Sequence, residues 1–223
     1  MAGLEPARVL ENFLRSLALR PGLTVVDVAS GRGTMAAALT RWGVSVVAVD
    51  PAPPPRNGPS MAGVSWVRAE ADAIPLSDAS ADRVVCRYGA HHLTRLSTSV
   101  AEWVRVLKPG GRLGLLDITA PSGLRAAVTA VERSRDPQLV RLLTPEEWWT
   151  LLARTGLGPR RLGLTVEHVG LAVWLGGVEP AIASGRRALE HLAAVPEPLI
   201  DAVCDTDGMR RFTLWIVAEK PRR

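Results

Sequence analysis

Short apolar runs recur along the first half of the chain and alternate with segments of helical composition. Residues 34–42 are rich in Ala and Leu, and residues 99–107 place apolar side chains at helical spacing. The apolar runs have the length and composition of buried strands. They lie at residues 24–28, 44–49, 64–69, 83–87 and 112–118. Strands that alternate with helices predict an α/β domain in which right-handed crossovers join parallel strands.

The second half of the chain is predicted to be more helical, with two further strands. The expected elements are helices at 123–134 and 144–155, a strand at 160–169, a mostly helical stretch over 170–203 with a break at 196–198, and a last strand at 211–218. The pattern predicts a doubly wound, Rossmann-like sheet of seven strands, mostly parallel, with an antiparallel last strand and helices on both faces. We expect a single domain over residues 1–223, with an N-terminal helix within residues 1–20 and a helical, variable acceptor-side region over residues 121–205.

A glycine turn follows the first predicted strand and is the clearest signal in the chain. Gly31 and Gly33 allow a tight turn and a close approach of a ligand to the backbone. Asp50 ends the second strand, where a carboxylate can bind the ribose hydroxyls of a nucleoside. Because Gly31, Gly33 and Ala36 also satisfy the dinucleotide pattern, this half-domain is typical of dehydrogenases as well as methyltransferases.

Composition excludes several classes of protein. With 47% hydrophobic and 22% charged residues, the chain is expected to form a sizeable core. The net charge of +5 comes mostly from dispersed arginines, so no nucleic-acid partner is expected. Cys86 and Cys204 indicate neither a disulfide framework nor a zinc site, and no metal is predicted. The sequence shows no membrane span or signal peptide, so we expect a cytoplasmic protein.

Polar residues also follow the third and fourth predicted strands. Glu70 is placed to accept the exocyclic amine of an adenine, and the backbone N–H of Ala71 to donate to a ring nitrogen; Asp72 is the alternative acid. His91 and His92 follow the fourth strand, where either could act as a general base near neutral pH. The alternative is that one histidine caps the next helix and the other packs in the core.

Four motifs in order make the chain resemble class I S-adenosylmethionine-dependent methyltransferases, in particular the small-molecule group of the menaquinone/ubiquinone type. They read VVDVASGRGT, VVAVD, EADAIPLSDASADRVVCRYGAHHL and VLKPGGRLGLLD, and the resemblance continues to about residue 157. It favours a methyltransferase over a dehydrogenase because Asp27 fills the family's acidic position before the glycine loop. The implied cofactor is S-adenosyl-L-methionine, converted to S-adenosyl-L-homocysteine.

The resemblance also implies roles for individual residues. Asp27 holds the methionine amine, Asp50 the ribose, and His91 and His92 lie on the acceptor side as candidate catalytic residues. The implied cofactor-binding residues are Asp27, Ala29, Ser30, Gly31, Gly33, Asp50, Pro51, Glu70, Ala71 and Arg87. The chain departs from the family pattern in three places: Ala29 replaces a glycine, Glu70 replaces the commoner aspartate, and the proline-rich loop over residues 51–63 lacks a helical pattern.

The expected reaction is an in-line displacement at the sulfonium methyl group, with a small-molecule acceptor. The acceptor atom stays open between oxygen, nitrogen, carbon and sulfur, and the protein is expected to be a monomer or a homodimer. The alternative is an enzyme that binds the cofactor and catalyses a cyclisation or a rearrangement, since one fold hosts many functions. Tryptophans beyond residue 147 line an acceptor pocket or, as we favour, pack in the core.

Overall fold

The valine-rich first strand lies inside a seven-stranded sheet whose order is β3-β2-β1-β4-β5-β7-β6. The computed structural model describes residues 6–53, 62–175, 183–204 and 208–222. The strands are β1 (Thr24–Val28), β2 (Ser45–Asp50), β3 (Val64–Arg68), β4 (Ala81–Arg87), β5 (Leu107–Ile118), β6 (Gly158–Gly170) and β7 (Gly208–Glu219). Strands β1 to β5 pair in parallel, and β7 is antiparallel to both β5 and β6. The predicted fold class is confirmed.

Helices connect most of the strands and pack against the sheet. They are α1 (Pro6–Ser16), α2 (Thr34–Thr40), α3 (Leu96–Val106), α4 (Arg125–Arg135), α5 (Pro145–Arg154), α6 (Leu171–Trp174), α7 (Ala183–Ala193) and α8 (Glu197–Asp201). Helix α5 begins where the sequence predicts, because Thr144 and Glu147 form a reciprocal capping box around Pro145. Within the described ranges, no helix combines the length and apolar character that crossing a bilayer requires.

Among the described residues, three clusters of buried side chains form the core. One lies under α3 and α5 around Trp103 and Trp148, and a second under α1 and α2 around Phe13. A third joins α4 and α7 to the first residues of β7 and contains Trp174. Two of the C-terminal tryptophans therefore pack in the core, whereas Trp149 is 43% exposed.

The fifth strand differs from the prediction at its start. The apolar pattern predicts this strand at 112–118, but β5 already begins at Leu107. The backbone N–H of Gly110 donates to the carbonyl of Lys220, and the N–H of Lys220 donates to the carbonyl of Gly111. Pairing with the C-terminal segment thus supplies the hydrogen bonds that extend the strand, with a register shift against β4 between Ala81 and Arg83.

Two irregular regions also differ in detail from the sequence pattern. The helix predicted from residue 123 starts as a 3-10 turn at Ser122–Leu124 and becomes α-helical at Arg125. The described residues of the stretch 170–203 contain the helices α6, α7 and α8. The break predicted at 196–198 lies at 194–196, because Pro196 is the N-cap residue of α8 and Pro198 is tolerated in the first turn of that helix. Residues 54–61 of the proline-rich loop lie outside the described residues.

Candidate functional site

The carboxyl ends of β1 and β4 form the point where the strand order reverses, because β2 and β3 lie on one side of β1 while β4 and β5 lie on the other. Ligands of open α/β sheets bind at such a point. The glycine loop leaves β1 here. Ala29, Gly31 and Gly33 all have positive φ values, of 54°, 51° and 81°. Alanine in this left-handed region is strained, so Ala29 is held there by its surroundings.

Asp50 fastens this loop to the end of β2. Its Oδ2 accepts a hydrogen bond of 2.8 Å from the backbone N–H of Gly31, and its Oδ1 accepts one of 2.9 Å from Ala52. Ser30 donates its N–H to the carbonyl of Val49, which ties the loop to β2 a second time. The neighbouring Pro51 is exposed, and its carbonyl accepts a hydrogen bond from Arg68. The predicted ribose-binding acid therefore also shapes the loop.

Asp27 is buried within β1, with 1% of its surface exposed. Neither carboxylate oxygen has a hydrogen-bond donor in the described part of the chain, and the hydroxyl of Ser30 nearby in sequence is likewise unpaired there. Burial raises the pKa of the Asp27 carboxyl to about 8; the N–H of Ala36 and the charge of Arg87 oppose this rise, and Asp50 adds to it. The Ala36 N–H approaches the carboxylate without completing a hydrogen bond.

The turn after β4 packs directly on the glycine loop. A Cβ atom built on Gly89 would lie 2.5 Å from the Cβ of Ala29. Arg87, at the end of β4, places its guanidinium 4.7 Å from the centre of the Tyr88 ring, and its buried Nε has no partner among the residues that the structure describes. The predicted residues on β1 and β4 are therefore brought together in one site.

The two candidate acids after β3, Glu70 and Asp72, lie in different environments. Glu70 is exposed, whereas Asp72 is held by an ion pair of 2.6 Å with Arg95. Ala71 is buried, and its carbonyl accepts a hydrogen bond from the indole N–H of Trp103. The backbone at this position is thus fixed, and Glu70 keeps its place as the predicted adenine contact.

His91 lies in a 3-10 turn at Ala90–His92 and is 5% exposed. Its Nδ1 is 2.5 Å from Oδ1 of Asp117, and its backbone N–H donates to Oδ2 of the same carboxylate. Burial by itself would lower the pKa of His91, but the charge and hydrogen bond of Asp117, together with the charge of Asp136, raise it above its usual value. The histidine thus packs in the core and also forms an ordered dyad.

His92 is less buried and contacts the carboxylate of Asp136, which follows the end of α4. Its Nδ1 is 3.3 Å from the carbonyl of Gln138, and its Nε2 is 3.4 Å from Oδ2 of Asp136. Both histidines line a cavity of about 180 Å³, together with Tyr88, Ile118, Arg135, Asp136 and Arg211. Two larger clefts, of about 520 and 730 Å³, have none of the predicted site residues among their described lining residues.

Sequence reasoning missed Asp117 and Asp136. Asp117 follows the apolar run of β5 at the same edge of the sheet as Asp27, so an acid at the end of a buried strand is a signal that could have identified it. Asp136 comes directly after α4, and the sequence gives no sign that this helix end returns to the β4 turn.

Known proteins share both the sequence motifs and the fold. A profile described as a methyltransferase domain matches residues 26–115. The uncharacterized methyltransferase YcgJ of Bacillus subtilis is 31% identical over 192 residues, which are 82% of this chain and 76% of that protein. Its crystal structure superposes with a TM-score of 0.80 at 24% identity, covering 96% of this chain and 99% of that one.

A second relative matches about half of the chain. The ubiquinone/menaquinone biosynthesis C-methyltransferase UbiE of Rubrivivax gelatinosus is 34% identical over 113 residues. The match covers 49% of this chain and 45% of that protein, so the chain spans about half the length of this relative.

These matches agree with the site. The profile begins within β1 and ends within β5, and it therefore contains the glycine loop, Asp27, Asp50 and the β4 turn. Family membership rests on the YcgJ relationship, which extends over most of both chains. With an unpaired buried acid before a glycine loop at the reversal of the strand order, and with this relationship to YcgJ, the chain belongs to the class I S-adenosylmethionine-dependent methyltransferases.

Proposed function

We propose that the protein transfers the methyl group of S-adenosyl-L-methionine to a small-molecule acceptor. The observation that carries this proposal is the Asp27 carboxylate, which is buried and finds no donor within the described ranges. An ionised carboxylate in such a place is costly unless a cation joins it. The α-ammonium group of the cofactor is such a cation, and it would satisfy oxygens that this part of the chain leaves unpaired.

The residues around Asp27 fit the rest of the cofactor. Gly31 has no atom within 4 Å of a built Cβ, so the loop is open to a ligand on that side. Asp50 keeps lone pairs free beyond its two backbone hydrogen bonds, and these can accept the ribose hydroxyls. We assign the remaining contacts as the sequence predicts: the loop residues Ala29, Ser30 and Gly33, then Pro51 and Arg87, with Glu70 and Ala71 at the adenine.

The cofactor supplies a methyl group on a positively charged sulfur, which is already a good leaving group. The protein's own part is therefore to orient the acceptor and to exclude water. Tyr88, His91 and His92 line the cavity that we assign to the acceptor. A small-molecule acceptor is supported by the likeness to UbiE, whose name gives it a role in ubiquinone and menaquinone biosynthesis.

Calorimetry with S-adenosyl-L-homocysteine tests the proposal, and a separate titration with NADPH tests the dehydrogenase alternative. We expect the wild-type protein to bind the sulfur ligand and not NADPH. Asp27→Ala removes a charge-assisted hydrogen bond worth about 1.5–3 kcal/mol, so affinity should fall about 10- to 100-fold. Asp201→Asn, an exposed carboxylate on α8, is the matched control and should bind as wild type.

Thermal melting at pH 8 separates a binding defect from a folding defect. Asp27→Ala removes a buried unpaired group, so the variant should melt no lower than wild type at this pH. Absence of binding by the wild-type protein would refute the proposal. Binding without methyl transfer to any member of a broad panel of hydroxyl, amine, thiol and carbon-acid acceptors would favour the cyclisation or rearrangement alternative.

A further inference from the structure

Three side-chain atoms point to one position in the 180 Å³ cavity. Nε2 of His91 is 3.8 Å from Oδ2 of Asp136, and Nε2 of His92 is 3.4 Å from the same oxygen. The ligand atoms of the three residues all lie within 4.8 Å of one another. Both separations are longer than a charge-assisted N–H···O hydrogen bond to a carboxylate, which is about 2.7–2.9 Å. Two ligands bound about 2.1 Å from one tetrahedral cation lie about 3.4 Å apart. The His92–Asp136 separation matches this spacing, and Nε2 of His91 would share the ion after moving about 0.4 Å closer to Asp136.

The second polar atom of each side chain is already bound by the protein. His91 uses Nδ1 for Asp117, and His92 uses Nδ1 for the carbonyl of Gln138. Because a carbonyl or carboxylate only accepts, each Nδ1 carries a hydrogen, and the Nε2 of each ring is left to face the cavity, where a bound cation would take the place of a proton. Oδ1 of Asp136 accepts the N–H of Gln138, which leaves Oδ2 for the same position. Outer contacts of this kind orient the ligands of protein metal sites.

The local charge also favours a cation. Asp117 and Asp136 bring two carboxylates to the two imidazoles. Arg135 and Arg211 line the cavity as well, but each lies against the buried Glu132, at 3.1 and 3.5 Å. The carboxylate of Glu132 therefore partly offsets the positive charge of the two arginines, which reduces their repulsion of a cation in the cavity.

We propose that His91, His92 and Asp136 bind a divalent first-row transition-metal cation, with Zn²⁺ as the best match to two imidazoles and one carboxylate. Three protein ligands leave a coordination position open for the acceptor. The sequence predicted no metal and gave the histidines a proton-transfer role. In this arrangement they hold an ion instead, and the ion activates the acceptor.

The role of the ion rests on the proposed function, whereas its binding does not. The turn that carries the histidines follows Gly89, which packs on the glycine loop, so the ion lies on the acceptor side of the cofactor site. An acceptor with an acidic hydroxyl, such as a phenol or an enol, would bind through its oxygen and lose its proton to water. The new bond to the methyl carbon then forms as the carbon–sulfur bond breaks, and the electron pair of that bond stays on sulfur.

Titration of chelator-treated full-length protein with ZnCl₂ tests the site directly. We expect one Zn²⁺ per chain, and an affinity at least tenfold lower in His92→Ala and in Asp136→Asn. His191→Ala, an exposed histidine on α7, is the matched control and should bind as wild type. Visible absorption of the Co²⁺ form should show nitrogen coordination that His92→Ala alters. Both ligand variants change side chains that are partly exposed, and melting curves check that they fold.

Two results would overturn the inference: no stoichiometric Zn²⁺ binding by the wild type, or equal binding by His92→Ala and His191→Ala. Calorimetry with S-adenosyl-L-homocysteine on the same samples keeps the two proposals apart. Zn²⁺ binding without binding of the sulfur ligand would support the metal site and refute the proposed function. The sulfur ligand binding without Zn²⁺ would refute the metal site and leave the proposed function standing.

Discussion

The contact between Gly89 and Ala29 gives a sharp test of how the site is assembled. The Cβ of an alanine at position 89 would lie 2.5 Å from the Cβ of Ala29 and 3.5 Å from Sγ of Cys86. Carbon atoms in contact prefer about 3.5–4.0 Å, so Gly89→Ala creates an overlap of about 1 Å. A single methyl group on each side has no rotamer that avoids the other. The β4 turn and the glycine loop would have to move apart.

The size of the effect follows from this geometry. The backbone of Gly89, at φ −130° and ψ −24°, is accessible to alanine, so the substitution strains no dihedral angle. Overpacking costs about 1–3 kcal/mol, and the reduced entropy of the unfolded chain returns about 0.4–1 kcal/mol. We expect a net loss of about 1–2 kcal/mol. At about 2–4 °C per kcal/mol for a chain of this length, Tm should fall by about 2–8 °C.

A compensating change isolates the contact. Ala29→Gly removes the methyl group that the new alanine would meet and also relieves the left-handed strain at φ 54°. By itself this change should be nearly neutral, because greater freedom in the unfolded chain offsets the relief. The double variant should therefore regain about 1–2 kcal/mol relative to the sum of the single changes.

Thermal melting and denaturant unfolding of the four proteins measure this coupling, and calorimetry with S-adenosyl-L-homocysteine reports whether the loop still binds. Gly123→Ala is the control, since its Cβ would meet nothing within 4 Å. The reasoning is refuted if Gly89→Ala is as stable as Gly123→Ala, or if Ala29→Gly fails to restore the double variant.

Three further predictions concern the acids and one helix cap. The pKa of Asp27 is about 8 in the folded chain and near 3.8 when unfolded, so the folded state binds the extra proton between these values. The free energy of unfolding should fall by up to about 1.4 kcal/mol per pH unit as the pH rises from 5 to 8, and Asp27→Asn should abolish this slope. The same pH dependence in the wild type and in Asp27→Asn would contradict the prediction. Asp50→Ala loses the hydrogen bond to Gly31, which should weaken binding of S-adenosyl-L-homocysteine at least tenfold by calorimetry. Thr144→Ala breaks the capping box with Glu147 and should lower stability by about 1 kcal/mol, whereas an unchanged Tm would show that Pro145 alone starts α5.

The parallel part of the sheet could be predicted from the sequence because β1 to β4 are short, mostly apolar runs separated by turns or helices. The strand limits were less predictable where pairing is non-local. Residues 108–111 contain proline and glycines that favour a turn, yet Gly110 and Gly111 pair with Lys220, more than a hundred residues away in the chain. No local pattern carries this information.

The cofactor side of the site was more predictable than the acceptor side for a similar reason. Asp27, Gly31 and Asp50 lie within one strand-turn-helix-strand unit, so their spacing in sequence fixes their spacing in the fold. His91 depends instead on Asp117 from β5 and on Asp136 from the end of α4. Those partners come from elements whose relative positions are set by packing of the third core cluster.

Asp27 and Asp117 show why structure was needed to separate two roles. Both acids end or nearly end an apolar run, on strands that flank β4, and each has 1% or less of its surface exposed. Asp117 receives the Nδ1 hydrogen of His91 and two backbone N–H groups, so its charge is satisfied within the protein. Asp27 receives no hydrogen bond from the described residues, and its carboxyl group keeps a proton until a cation takes its place. The first acid therefore orients a neighbour, and the second is reserved for a ligand, although the sequence pattern around the two is nearly the same.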